Sequence, residues 1–179
     1  MIMEGPQYIE CEQGTEAWFR ARMGLATASE FATVMASGRG GGPSVTRRKY
    51  LLRLAGEIIT GNPAETFSTP QMERGKAMEA EARAKYSFLC DAEPKIVGFC
   101  RNGRKGCSPD SLIGDDGMLE VKTHVPHILI EMLLKDEFPP EHKPQCFGAL
   151  WVAEREYIDL ACYWPGMPML IKRLHWDAD

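Results

Sequence analysis

The chain has 179 residues, 44% of them hydrophobic and 26% charged, with a formal net charge of −4. That length and apolar content suit one domain with its own core and speak against widespread disorder. The acidic balance excludes a protein that coats nucleic acid through overall positive charge, so any contact with DNA must be local.

Three basic clusters could supply such a contact: Arg20 with Arg22, Arg47-Arg48-Lys49 with Arg53, and Arg101 with Arg104 and Lys105. Each taken alone reads as solvated surface charge. The cysteines Cys11, Cys90, Cys100, Cys107, Cys146 and Cys162 form no CxxC pair, and no secretory leader precedes them. The pattern predicts a reduced, cytoplasmic chain and argues against a zinc site or a cysteine-ligated iron–sulfur cluster. No run is apolar enough for long enough to cross a bilayer, so no membrane partner is expected.

After an irregular start, Thr15 to Met23 reads as a short helix capped by Thr15 and ending at Gly24, with a second helix beginning near Ser29. Gly38 to Ser44 is a glycine-rich loop, a plain connector by composition. Thr46 is placed to cap a helix running to about Ile59, with Tyr50, Leu51, Leu54 and Ile58 along one side. Thr69 as cap and Pro70 in the first turn start a further helix to about Leu89. Its wheel puts Met72, Gly75, Met78, Glu79, Ala82, Tyr86 and Leu89 on one face, whereas Glu81 points to solvent. An ionised Glu79 on an inward face asks for a cation or donor, and a salt bridge at the core edge would satisfy it.

From Pro94 the pattern turns strand-like. Lys95 to Cys100, Arg104 to Ser108 and Met118 to His124 predict an antiparallel meander, the last two joined through a Gly114-Asp115-Asp116-Gly117 turn. Helical patterns return at Pro126 to Glu137 and Pro140 to Ala153, followed by strands at Tyr157 to Trp164 and Met169 to Trp176. The fold class expected is α/β, a central mixed β-sheet flanked by helices.

Chemistry concentrates between residues 108 and 122. The period of two in a strand puts Glu120 and Lys122 on one face, with Leu119, Val121 and Thr123 on the other. The turn folds Asp110 back towards Glu120. Hard divalent cations such as magnesium take one or two carboxylates plus water and phosphate oxygens, which suits Asp110 and Glu120. Lys122 adds a fixed positive centre worth roughly 4 kcal/mol against a unit charge at about 4 Å and an effective dielectric near 20. An ExK tripeptide alone usually means two surface charges. An SPD shortly before it and an inward-facing Glu on an upstream helix make a metal-dependent phosphodiesterase the better reading.

These residues form part of an ordered series: Trp18-xxx-Arg22-x-Gly24-xx-Thr27-Ala28-Ser29, Gly75-Lys76-xx-Glu79 with Ala82-Arg83, Ser108-Pro109-Asp110, Leu119-Glu120-Val121-Lys122, and Gln145 ahead of Trp151-Val152. In that series, from about Gln13 to Trp151, the chain resembles the lambda-exonuclease-like, or YqaJ-type, viral recombinase family of PD-(D/E)xK nucleases. The resemblance implies a restriction-endonuclease-like core and a single nuclease domain over residues 1–179, whose helical portion from about 13 to 60 contributes a 5′-phosphate pocket. It implies a 5′-to-3′ exodeoxyribonuclease that degrades one strand of linear double-stranded DNA, releases 5′-phosphomonoesters and leaves single-stranded tails for recombination.

By the same resemblance Asp110, Glu120, the Val121 carbonyl and Glu79 would surround Mg2+, or Mn2+ in its place. Lys122 would activate the attacking water, and Gln145 would stand beside the metal. Arg22, Ser29 and Ser108 match the 5′-phosphate pocket; an arginine fork and a helix N-terminus at Ser29 suit a phosphate. Partners implied are double-stranded DNA ends, a single-strand annealing protein and a homotrimer, in a bacterial cell and encoded by a phage or prophage. Two departures stand out: Ser111 replaces the glycine frequent after SPD, and a C-terminus short beside the phage enzyme speaks against the ring-shaped trimer. An endonuclease with the same chemistry, or a DNA- or partner-binding module on the same fold, are the competing readings. The four histidines, His124, His127, His142 and His175, have no ligand-like spacing.

Overall fold

The helices begin where short polar side chains can take up free amides. Thr15 accepts from the Trp18 amide, Ser44 from Arg47 and Thr69 from Met72, each capping the helix that follows. The computed structural model describes residues 5–42, 44–64 and 69–176. Its helices are α1 (Glu16–Arg22), α2 (Phe31–Met35), α3 (Val45–Thr60), α4 (Pro70–Cys90), α5 (Pro126–Lys135) and α6 (Lys143–Ala153). Its strands are β1 (Gln7–Ile9), β2 (Ala26–Thr27), β3 (Phe99–Asn102), β4 (Lys105–Cys107), β5 (Ser111–Ile113), β6 (Gly117–Thr123), β7 (Tyr157–Tyr163) and β8 (Leu170–His175).

The strands form two four-stranded sheets, ordered β1-β3-β4-β2 and β5-β6-β7-β8. In the second sheet β6 and β7 run parallel while β5 and β8 are antiparallel edges, so the α/β class with a mixed sheet is correct. The predicted meander is not continuous. β3 and β4 form a hairpin in one sheet, and Ser108-Pro109-Asp110 carries the chain across to β5 and β6 in the other. Proline lacks the amide that a sheet interior needs, which is why the crossing falls there.

Strand β6 is the centre of the molecule, and its alternation sets the layers. Leu119 and Val121 pack with Ala82 and Tyr86 of α4, whereas Met118 packs with Cys146, Ala149 and Leu150 of α6. Burying each such side chain contributes about 1.5–3 kcal/mol. Helix α6 closes over α2 at Gly148, where an added Cβ would sit 2.3 Å from the Phe31 ring. Behind the sheet, buried Asp159 accepts both Arg173 nitrogens at 2.8 Å and the Tyr86 hydroxyl at 2.6 Å, so its charge is fully met.

Several local expectations need correction. The cap of α3 is Ser44, and Thr46 instead shares a hydroxyl contact with it at 2.7 Å. Of the apolar side expected on α3 only Tyr50 is buried; Leu51 and Ile58 are 53% and 67% exposed. On α4, Met72 and Leu89 are likewise exposed. The helix expected from Pro140 is a 3-10 turn over Pro140–His142, followed by α6. In the glycine-rich loop, Arg39–Gly41 form a 3-10 turn, and Pro43 lies outside the described residues. All six cysteines are free thiols.

Candidate active site

Because Met118 faces α6, the period of β6 sends Glu120 and Lys122 to the same layer. Glu120 is almost fully buried, and its Oε1 accepts from Lys122 Nζ at 2.8 Å and from Gln145 Nε2 of α6 at 2.5 Å. From the start of β5, Asp110 leans onto β6, its Oδ2 accepting the Val121 amide at 2.6 Å. Asp110, Glu120, Lys122 and Gln145 are thus gathered within reach of one another. The strand expected over Arg104 to Ser108 is β4, Lys105–Cys107, and the crossing segment after it returns Asp110 to the site.

The acids and the lysine act on one another electrostatically. Burial, then the charges of Glu120 and Glu79, push the Asp110 carboxyl well above the ordinary carboxylate range, against the opposing pull of the Val121 amide and Lys122. Burial alone would lower Lys122, yet Glu120, by charge and by hydrogen bond, and Asp110 leave its ammonium pKa raised. The lysine therefore stays charged, ion-paired to Glu120.

Glu79 arrives by a different route. It belongs to α4, which packs on the opposite face of β6, and approaches at the β5 edge. There Arg83, one turn on, binds it, while Arg83 Nε donates to Ser111 Oγ at 2.9 Å and its Nη2 reaches the Asp110 carbonyl at 3.5 Å. The salt bridge anticipated for an inward glutamate is present. Among the described residues no three His, Cys, Asp or Glu side chains gather closely enough to hold a metal by themselves. Two carboxylates remain, Asp110 and Glu120, and one or two carboxylates with water and phosphate oxygens are what magnesium commonly takes; Glu79 is ion-paired to Arg83.

The residues matched to a phosphate pocket also form one connected path. Trp18 Nε1 donates to Ser108 Oγ at 2.8 Å, and the Arg22 guanidinium lies 4.0 Å from the Trp18 ring centre. Arg22 Nη2 donates to Thr27 Oγ1 at 3.2 Å, and that hydroxyl is 3.4 Å from Ser29 Oγ. Burial depresses the Arg22 pKa, and no carboxylate is ion-paired to it among the described residues, so an anion would relieve the cost of its charge. Ser29 itself lies in a 3-10 turn, Ala28–Glu30, and α2 starts only at Phe31, two residues later than expected.

Three contributors escaped the sequence reading. Thr27 links Arg22 to Ser29, and Tyr50 holds its amide at 3.1 Å. Gln13 donates to the carbonyls of Val97 and Pro109 at 3.1 and 3.2 Å, pinning the peptide just before Asp110. Arg83 does the same on the other side. The signal available was their place inside the ordered motifs, without any indication of partner. His124 and His142 lie near Lys122 with their Nε2 atoms buried and unpartnered among the described residues. Burial first, then the Lys122 charge, lowers the His142 pKa to about 4, so that ring is neutral at physiological pH.

A model of the YqaJ-like viral recombinase domain matches residues 17–156, most of the chain and all of the residues just described except Gln13. The chain belongs to that family. Among solved structures, this YqaJ-like domain is similar to the alkaline exonuclease LHK-Exo of Laribacter hongkongensis, at 29% identity over 91% of this chain and 83% of that one. The TM-score is 0.80 for LHK-Exo in complex with dAMP and 0.78 for a second LHK-Exo structure. A phage-related exonuclease from Haemophilus somnus 129PT shares the fold, with a TM-score of 0.62 at 11% identity over 86% of this chain and 85% of that one. A comparison with curated proteins gives no match. Family and fold together support a nuclease that serves recombination. Among the described residues no helix is long and apolar enough to cross a membrane.

Proposed function

We propose that this YqaJ-like domain is a metal-dependent 5′-to-3′ exodeoxyribonuclease that degrades one strand of linear double-stranded DNA. The observation that carries the reading is the junction of two sites through three consecutive residues: Ser108 belongs to the Arg22 path, and Asp110 to the Glu120–Lys122 cluster. A terminal phosphate bound at the first would lay the next phosphodiester towards the second.

Asp110, Glu120 and the Val121 carbonyl would hold Mg2+ or Mn2+, which when bound supplies charge on the scissile phosphate and acidifies a water. Lys122 places a permanent positive charge beside the attacked phosphate and orients the nucleophilic water by hydrogen bond. Gln145 fixes the Glu120 carboxylate, leaving its second oxygen to face the cation. Arg22 takes the terminal phosphate through its planar fork, with Ser108, Thr27 and Ser29 as hydroxyl donors. The products expected are 5′-phosphomonoesters, in keeping with the dAMP bound to the related alkaline exonuclease. The single-stranded tails left behind would pass to an annealing protein.

The test is a time course with end-labelled linear duplex, with and without 5′-phosphate, in magnesium and in chelator, beside a circular plasmid. Release of mononucleotides from phosphorylated ends in magnesium, with the plasmid intact, is the expected result. Cutting of the circle would replace the reading with an endonuclease, and undiminished cleavage in chelator would remove the metal from it.

A further inference from the structure

The ordered motifs leave one large feature unused. A groove of about 950 Å³ opens between α2, the β3–β4 turn and α6. Lys143, Phe147 and Trp151 recur every four residues along α6, on a stripe well round the helix from Gln145. Phe31 and Met35 of α2 supply the facing wall. The groove floor is hydrocarbon and ring, and much of it is open to water: Met35 is 74% exposed, Trp151 51% and Trp176 43%. An apolar patch of this kind, rimmed by polar groups, marks an interaction site.

Among the described residues, the charged side chains that line the groove are all basic. Arg104 stands on the β3–β4 turn, Lys105 at the start of β4 and Lys143 at the start of α6, and none of them is ion-paired among the described residues. On a chain of net charge −4 this is a local inversion. An acidic partner is repelled by the protein as a whole and drawn to this rim, which gives orientation as well as attraction.

The groove is a poor platform for nucleobases. Lys105 Nζ stands 4.5 Å from the centre of the Trp151 ring, and Phe31 packs against the same ring at 5.8 Å, so a stacking base would have to displace one of them. The Asn102 amide, the polar group best placed to read a base edge, is spent on the Val152 carbonyl and Glu154. A segment that brings bulky apolar side chains to the floor and carboxylates to the rim keeps all these contacts.

We propose that this groove is a docking site for an acidic, amphipathic segment of a partner protein, with its apolar side chains between α2 and α6 and its carboxylates on Arg104, Lys105 and Lys143. None of Asp110, Glu120 and Lys122 lines the groove, and the proposal does not depend on DNA cleavage.

The probe is a random twelve-residue peptide display library selected against the full chain, with the enriched peptides then measured singly by fluorescence anisotropy. Enriched peptides should combine Leu, Phe or Trp with several Asp or Glu. Their affinity should fall by about tenfold or more in the double variant Lys105→Glu/Lys143→Glu, a loss of the size expected when close charge pairs are reversed. Arg104→Glu, on an exposed turn, provides a second variant should the first fold poorly. The melting temperature of both variants should match that of the wild type. The proposal fails if nothing is enriched, if the enriched peptides are neutral or basic, or if charge reversal leaves their binding intact. It fails equally if a twelve-nucleotide oligo(dT) displaces them, which would make the groove a nucleic-acid site. Sedimentation showing self-association that the charge reversal abolishes would assign it to a second copy of the chain instead.

Discussion

Replacing Asp110 by asparagine should stabilise the metal-free protein while abolishing its response to magnesium. Asparagine retains an oxygen able to accept the Val121 amide, so the 2.6 Å contact that shapes the site can persist. What is lost is a charge disfavoured by burial and by Glu120 and Glu79. After the opposing pull of Lys122, the residual repulsion is about 1–2 kcal/mol at an effective dielectric near 20. For a domain of this size about 1 kcal/mol moves Tm by roughly 2–4 °C, so the variant in chelator should melt about 2–8 °C above the wild type. Magnesium at about a hundred times its Kd stabilises a folded protein by about 2.7 kcal/mol. That corresponds to roughly 5–10 °C for the wild type, and the variant should show little of it. The pH dependence follows from the raised Asp110 pKa. Its stabilising contribution is complete below the unfolded carboxylate value near 4 and is lost as pH rises through the higher folded value. The advantage of the variant in chelator should therefore grow as pH rises from about 4 towards the higher folded value. Differential scanning calorimetry of both proteins, in EDTA and in magnesium, measures all of this. A variant that melts lower in chelator and keeps the full magnesium gain would refute the reasoning.

Lys122→Met should lower the single-turnover rate on linear duplex by about a hundredfold or more, with duplex affinity nearly unchanged, because the ammonium acts on charge that develops in the transition state. Gel-shift and quench-flow measurements separate the two effects. Arg83→Lys keeps the charge beside Glu79 but cannot reach Ser111 Oγ and the Asp110 carbonyl together. It should lower kcat more than it raises KM, and an unaltered kcat would remove Arg83 as a positioning residue. Arg22→Ala should erase the preference for phosphorylated over unphosphorylated ends, leaving slow cleavage of both, as read on the two end-labelled substrates. His142, with its pKa pushed down to about 4, should stay neutral through the physiological range and lower the stability of the fold as pH falls from about 6.5 towards that value. Two-dimensional NMR of its ring checks the assignment, and titration near 6.5 would contradict the enclosure.

What was legible in the sequence was legible for physical reasons. Thr69 and Pro70 announce α4, since a hydroxyl and a residue without an amide suit a helix start. The alternation Leu119-Glu120-Val121-Lys122 is a strand pattern with one polar face, and the burial of Glu120 beside Lys122 and Gln145 shows that this face is no solvated surface. Strands β1, β2 and β5 span three, two and three residues, too few for any period to show, and with them the division into two sheets was hidden. The side of α3 carrying Leu51 and Ile58 has a helical period and still faces outward, because periodicity reports amphipathicity and not what covers it. Gln13, Thr27 and Arg83 act through hydrogen bonds to groups far along the chain, and Gln13 reaches the Pro109 carbonyl across 96 positions. Local pattern carries no information about such contacts.

The most direct test is a crystal of the protein soaked in Mn2+ and measured for anomalous scattering. The account predicts one strong peak bonded to the carboxylates of Asp110 and Glu120 and to the Val121 carbonyl, with Lys122 alongside. A peak bonded to other residues, or none at this position with manganese in excess, would contradict it.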